Sequence, residues 1–236
     1  MQRYFSNLCE NNEYLLSRDD EYHITKVMRM NKGDKIEIVD NKIVSICEII
    51  SFNPLKAKVI ERMKENNENE KNIILVQSLI NEAKMDFVLQ KGTELGVNEF
   101  YGFKAANSVI KENDKSNKKI ERWQKIVKEA SEQSKRNIIP KVNNIIDINK
   151  LCKIEADVKL LLTVREMSKN IKNILKECQK YDTLIIVIGP EGGFTLKEEE
   201  TLIQNGFIST SLGRRVLRTE TASIVAISMI NYEWMV

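Results

Sequence analysis

Residues 183–189 read TLIIVIG, with five consecutive branched apolar side chains and no polar position among them. A strand of this kind has no face to offer to water and is stable only when covered on both sides. The rest of the chain from residue 72 supplies what such a strand needs. NIILVQSLI (72–80), VNEFYGFK (97–104), DVKLLLTV (157–164) and FISTSL (207–212) read as further strands. Between them lie helical patterns. KMDFVLQKGTELG (84–96) stops at Gly96, the expected C-terminal glycine. NKKIERWQKIVKEASEQSKR (117–136) carries Ile120, Trp123, Ile126, Val127 and Ala130 on one stripe. SKNIKNILKECQK (168–180) has Ser168 as its expected cap. TLKEEETLIQNG (195–206) has Thr195 and Glu198 as a capping box. A last helix is expected from about Thr221 to Trp234. Strands alternating with helices predict an α/β fold, with a mostly parallel sheet and helices on both faces.

The first 62 residues follow another rule. KIEIVD (35–40), KIVSICEII (42–50) and KAKVIERM (56–63) are short β-branched runs broken by turn residues, the pattern of a small barrel or half-barrel. YHITKVMRM (22–30) reads as one helical segment among them. KENNENEK (64–71) is polar and repetitive; it is expected to bury nothing and to link two domains, 1–68 and 69–236.

Composition narrows the chemistry. The four cysteines are far apart and His23 is the only histidine, which argues against a metal site or a disulfide framework. No apolar run reaches membrane-spanning length, so a cytoplasmic protein is expected. The net charge of +3 permits an RNA partner but does not demand one. Residues 1–68 hold eleven Lys/Arg against twelve Asp/Glu, so any RNA-binding face there must be a local patch.

Ligands of parallel sheets sit beyond the carboxyl ends of the strands. Attention therefore falls on the connections after Leu162, Ile188 and Leu212. IIVIGPEGGFTLKEEE (185–200) lets backbone approach a ligand through Gly189, Gly192 and Gly193, while Pro190 stiffens the turn. It has no Walker lysine, and Glu191 would repel phosphate, so a neutral or cationic ligand suits it better. A tight strand-to-helix turn would use the same glycines. SLGRRVLRTETASIVAIS (211–228) places Arg214, Arg215, Arg218 and Glu220 in one short connection before an apolar helix. The two strands that feed these loops are separated by one helix, which suggests that they lie near each other.

Taken together, IGPEGGFT and LGRRVLRTETA resemble the two cofactor loops of the RsmE family of SPOUT methyltransferases. HITKVMRMNKGD (23–34), KMDFVLQKGTELGV (84–97) and EASEQSKRNIIPKV (129–142) extend the resemblance over essentially the whole chain, in order. It implies a C-terminal methyltransferase domain with a deep trefoil knot, a PUA-like N-terminal RNA-binding barrel, and a homodimer. It also implies methylation of uridine N3 in 16S ribosomal RNA of the small subunit, with S-adenosylmethionine as donor. Carried over by position, the cofactor residues are Leu162, Thr163, Gly189, Pro190, Glu191, Gly192, Gly193, Leu212, Gly213, Leu217, Arg218, Thr219, Thr221 and Ala222.

This chain departs from the family at Tyr22-His23, where paired histidines are common. It departs again at Ala106-Asn107, where a Glu-Arg pair usually precedes the following Ser108-Val109. Arg218 or Arg136 is the expected stabiliser of the uracil oxygens, and Glu220 the expected proton acceptor. A first-turn acid that complements the helix dipole is the alternative for Glu220. Arg3, His23, Lys26, Arg29, Lys32 and Lys35 are the RNA-binding candidates, with packing the alternative for His23. Three rival functions are a non-catalytic RNA-binding factor, a methyltransferase acting on tRNA or another RNA position, and a nucleotide-hydrolysing enzyme using the glycine loop, against which the absent Walker lysine and the loop carboxylate argue.

Overall fold

The computed structural model describes residues 1–108 and 116–234; Val109 lies outside them. The chain forms two compact units. The first comprises residues 1–68 and 131–139, the second residues 69–130 and 140–236. The return of residues 131–139 to the first unit has no counterpart in the sequence pattern, where that stretch simply continues a helix.

The first unit holds β1 (Arg3–Phe5), β2 (Cys9–Glu10), β3 (Glu13–Leu15), α1 (Arg18–Tyr22), β4 (Lys35–Asp40), β5 (Ile43–Ser51) and β6 (Lys56–Met63). Its six strands form one sheet in the order β1-β4-β5-β6-β3-β2, with β1 parallel to β4 and the other pairs antiparallel. Register shifts beside Ile46 and Ile49 bend β5 and curl the sheet around its core. That core contains Tyr4, Ile24, Ile36, Ile38, Cys47, Ile49 and Leu55. The helical segment starts earlier than its apolar pattern suggests. Ser17 caps α1 through a capping box with Asp20, and a π-helical turn over His23–Val27 continues it.

The polar stretch after β6 does bury a side chain, contrary to expectation. Glu68 pairs with Arg136 at 2.5 Å, and their side chains are only 10% and 5% exposed. A carboxylate tolerates such burial when charge and donors surround it. Glu68 also accepts the backbone N–H groups of Asn137 at 2.7 Å and Ile138 at 3.2 Å.

The second unit holds β7 (Asn72–Ser78), α2 (Glu82–Glu94), β8 (Glu99–Phe103), α3 (Ser116–Gln133), β9 (Lys141–Val142), α4 (Ile148–Cys152), β10 (Val158–Leu162), α5 (Ile171–Glu177), β11 (Thr183–Ile188), α6 (Leu196–Gln204), β12 (Ile208–Thr210) and α7 (Thr219–Trp234). The last residues of α3 belong to the first unit. The sheet is parallel throughout, in the order β12-β10-β11-β7-β8-β9. The run 184–188 is buried at every position, as its composition requires. Ile185 and Val187 pack into a cluster with Phe103, Phe194, Leu202 and Phe207. α7 packs against β11, α2 and α5. Each such fully buried side chain is worth about 1.5–3 kcal/mol.

β11 and β12 do lie near each other, with β10 between them. Two local expectations need correction. Asn170, not Ser168, caps α5, accepting from the N–H of Lys172. α7 begins at Thr219, two residues before the expected start. Thr195 and Glu198 do form the capping box of α6, and Gly96 follows α2 with φ +89°. No helix among the described residues is long and apolar enough to cross a membrane.

Candidate active site

β12, β10 and β11 are adjacent, and their registers place Thr210, Leu162 and Ile188 level with one another. The three loops that follow therefore leave the sheet side by side. Together they enclose a cavity of about 600 Å³. Its walls include thirteen of the fourteen residues expected to hold a cofactor; Thr221 is the exception. Gly193 has φ +68°, and a Cβ built there meets nothing within 4 Å, so the loop turns its bare backbone toward open space.

Several side chains fix these loops. The Thr219 hydroxyl donates to the Gly189 carbonyl at 2.7 Å, joining the loop after β11 to the first residue of α7. The Asn107 amide donates to the carbonyls of Gly192 and Gly193 at 3.3 and 3.1 Å. The position that departs from the family pattern thus steadies the glycine loop here.

Charged groups missed from the sequence also line the cavity. Arg165 donates to the Phe194 carbonyl at 2.9 Å and to Glu199 Oε1 at 2.7 Å. The Thr163 hydroxyl donates to the same Glu199 oxygen at 2.5 Å. In sequence, Glu199 is one of three consecutive acids near a helix N-terminus, and only tertiary contacts single it out. Arg165 and Glu166 follow a strand end, where the rule for parallel sheets could have found them.

Glu166 accepts from the Ser168 hydroxyl and from the backbone N–H groups of Ser168 and Lys169. The Ser168 hydroxyl, then the two amides, hold its carboxyl down to about 2. Its stabilising bonds are complete above the ordinary carboxylate range and are lost as pH falls toward 2. Carboxyl NMR titration is expected to find Glu166 ionised at pH 3, and Ser168→Ala is expected to raise its midpoint.

Glu191 accepts from Lys84 Nζ at 2.8 Å. Partial burial opposes its ionisation, but the hydrogen bond and charge of Lys84 prevail, and its pKa is lowered. Lys84 also lies 3.6 Å from Glu220 Oε2. Glu220 does not line the cavity. Arg218 does line it and is exposed, together with Arg214 and Arg215.

Residues 64–231 match the family model described as an RNA methyltransferase domain, and residues 18–61 match an RNA methyltransferase PUA domain. The chain belongs to the RNA methyltransferase family. A relative from Bacillus subtilis, ribosomal RNA small subunit methyltransferase E, is 38% identical, with 99% of this chain and 97% of the relative covered. Its namesake from Mesomycoplasma hyopneumoniae is 34% identical, with 95% and 96% covered. The solved Neisseria gonorrhoeae protein of the same name, bound to S-adenosyl methionine, is 28% identical with a TM-score of 0.88, covering 99% and 98%. A putative methyltransferase from Legionella pneumophila, in complex with the cofactor SAM, is 27% identical with a TM-score of 0.89, covering 98% and 96%.

The remaining candidate residues divide by burial. Within the PUA match, Lys26, Arg29, Lys32 and Lys35 are exposed. His23 is partly buried, with Nδ1 3.0 Å from the hydroxyl of buried Tyr4, which supports packing for that nitrogen. Arg3 is fully buried and pairs with Glu37 at 2.8 Å and Glu65 at 2.9 Å, so it offers no surface charge to a phosphate. Arg136 does not line the cavity; its buried pair with Glu68 lies in the first unit.

Proposed function

We propose that this RNA methyltransferase transfers a methyl group from S-adenosylmethionine to N3 of a uridine in 16S ribosomal RNA of the small subunit. The observation that carries the reading is the cavity walled by three level loops. Its volume suits a ligand of this size, and its glycine backbone and mixed charges suit a zwitterion carrying a further positive centre. Once bound, the donor supplies an activated methyl carbon on a sulfonium.

The protein's own tasks are then placement and charge control. Glu166 and Glu191 remain ionised near the cavity and complement positive charge. Arg218, exposed at the cavity wall, is the candidate to stabilise negative charge on the uracil oxygens as the N3 proton leaves. Glu220 is the candidate acceptor for that proton, provided that its carboxylate turns from Lys84 toward the cavity. Replacing Glu220 with Gln is expected to slow transfer and to flatten the rate increase with pH. An unchanged profile leaves Glu220 with the helix-dipole role instead.

RNA binding draws on Lys26, Arg29, Lys32 and Lys35 through phosphate contacts, and affinity should fall as salt rises. Homodimerisation through α7 belongs to this reading, supported by half-buried Val225 and exposed Met229 and Tyr232, which recur at helical spacing. A trefoil knot in the second unit and a cytoplasmic location complete this reading. Small ribosomal subunits from cells lacking the protein are expected to accept labelled methyl when it is added, with the label mapping to one uridine. Label on tRNA alone, or on a ribose, would overturn the assignment.

A further inference from the structure

Gln77 and Ser78 are buried polar residues at the end of β7, after the apolar run Ile73–Val76. Gln77 is 2% exposed and does not line the cavity. An unpaired amide at such a site would be costly. Here both ends are paired. Nε2 donates to the Thr219 hydroxyl oxygen at 2.9 Å and to the Ser78 carbonyl at 3.2 Å. Oε1 accepts from the Ser223 hydroxyl at 2.5 Å, which is also 3.1 Å from the Thr219 carbonyl.

The direction of these bonds has a consequence. Because Thr219 accepts from Gln77, its single hydroxyl proton is left for the Gly189 carbonyl, 2.7 Å away. The opposite amide orientation would draw that proton to Gln77 and take it from Gly189. Beside this relay, the Ser78 hydroxyl donates to the Ile188 carbonyl at 2.8 Å. The last two carbonyls before Pro190 are therefore both held from beneath by side chains. Gly189 opens one cavity loop and Thr219 closes the other.

We propose that Gln77 is a positioning residue: through Thr219 it sets the spacing of the two cavity loops, and so controls cofactor affinity without touching the cavity. The inference rests on S-adenosylmethionine as the cavity's occupant. The Ser78 carbonyl, which can only accept, sets the orientation of the Gln77 amide, and Ser223 shares the role by donating to Oε1. A purely structural role would lower melting temperature and leave the affinity of the folded protein unchanged.

Calorimetric titration with S-adenosylmethionine, well below the melting temperature, separates the two. Gln77→Met keeps the side chain's length and removes its hydrogen bonds. It is expected to weaken binding about tenfold, the equivalent of one hydrogen bond. Ser223→Ala, a smaller change that protects the test against misfolding of the first variant, is expected to weaken it about threefold or more. In the double variant the losses should fall short of additive, because both act through one amide. Unchanged dissociation constants in folded Ser223→Ala and Gln77→Met protein overturn the positioning role. Absence of binding by the unaltered protein instead overturns the cofactor reading on which it rests.

Discussion

Arg136→Met is expected to destabilise the protein by about 3–5 kcal/mol, the usual cost of removing one partner from a buried ion pair. The guanidinium approaches Glu68 Oε2 at 2.5 Å through one terminal nitrogen and the Glu68 carboxylate at 3.2–3.3 Å through Nε. Without it, Glu68 would keep the amides of Asn137 and Ile138 but lose its neutralising charge. Arg136→Lys should fall between, since an ammonium cannot reproduce the two-nitrogen fork.

The same pair closes the first unit. Arg3 donates to the carbonyls of Lys135 and Arg136 at 2.6 and 3.2 Å while pairing with Glu37 and Glu65. Lys135 adds a second cation to Glu37 at 2.8 Å. Three cations and three carboxylates thus join residues 131–139 to the curled sheet. Denaturant unfolding followed by intrinsic fluorescence measures the loss. If Arg136→Met melts like the unaltered protein and yet loses methyl transfer, the ion-pair account fails and the catalytic expectation for Arg136 returns.

The parallel sheet was legible because its signal is local: five branched apolar residues in a row leave few alternatives. The capping box at Thr195 and Glu198 was legible for the same reason. Burial of charge was not. Arg3 and Arg136 look like surface cations in sequence, and their partners lie 34 to 68 positions away in Glu37, Glu65 and Glu68. No periodicity encodes such pairs. In the site, the glycine and arginine loops announced themselves, whereas Glu199 and Gln77 acquire meaning only through tertiary hydrogen bonds. The order of strands was equally hidden. A single intervening helix suggested that β11 and β12 were near each other, and β10, which precedes both in the chain, lies between them.

Gly193→Val is expected to reduce affinity for S-adenosylmethionine by about a hundredfold or more while leaving most of the fold's stability intact. Two effects act together. The φ of +68° places residue 193 in the left-handed region, which costs an L-residue roughly 1–2 kcal/mol and a β-branched one more. The loop can relieve that strain only by moving its backbone, and with it the Gly193 carbonyl that Asn107 holds. If the backbone stays, the added side chain projects into space where a Cβ has no neighbour within 4 Å, on the wall of the cavity. Either response damages the proposed binding surface, whereas the core beneath, with Phe194 and Leu202, keeps its packing. Calorimetry should therefore show lost binding with only a modest fall in melting temperature. Gly193→Ala, which adds the strain but little bulk, should lose less affinity than Gly193→Val. Equal losses in the two would assign the effect to backbone conformation alone, and retention of full affinity by the valine variant would place the donor elsewhere.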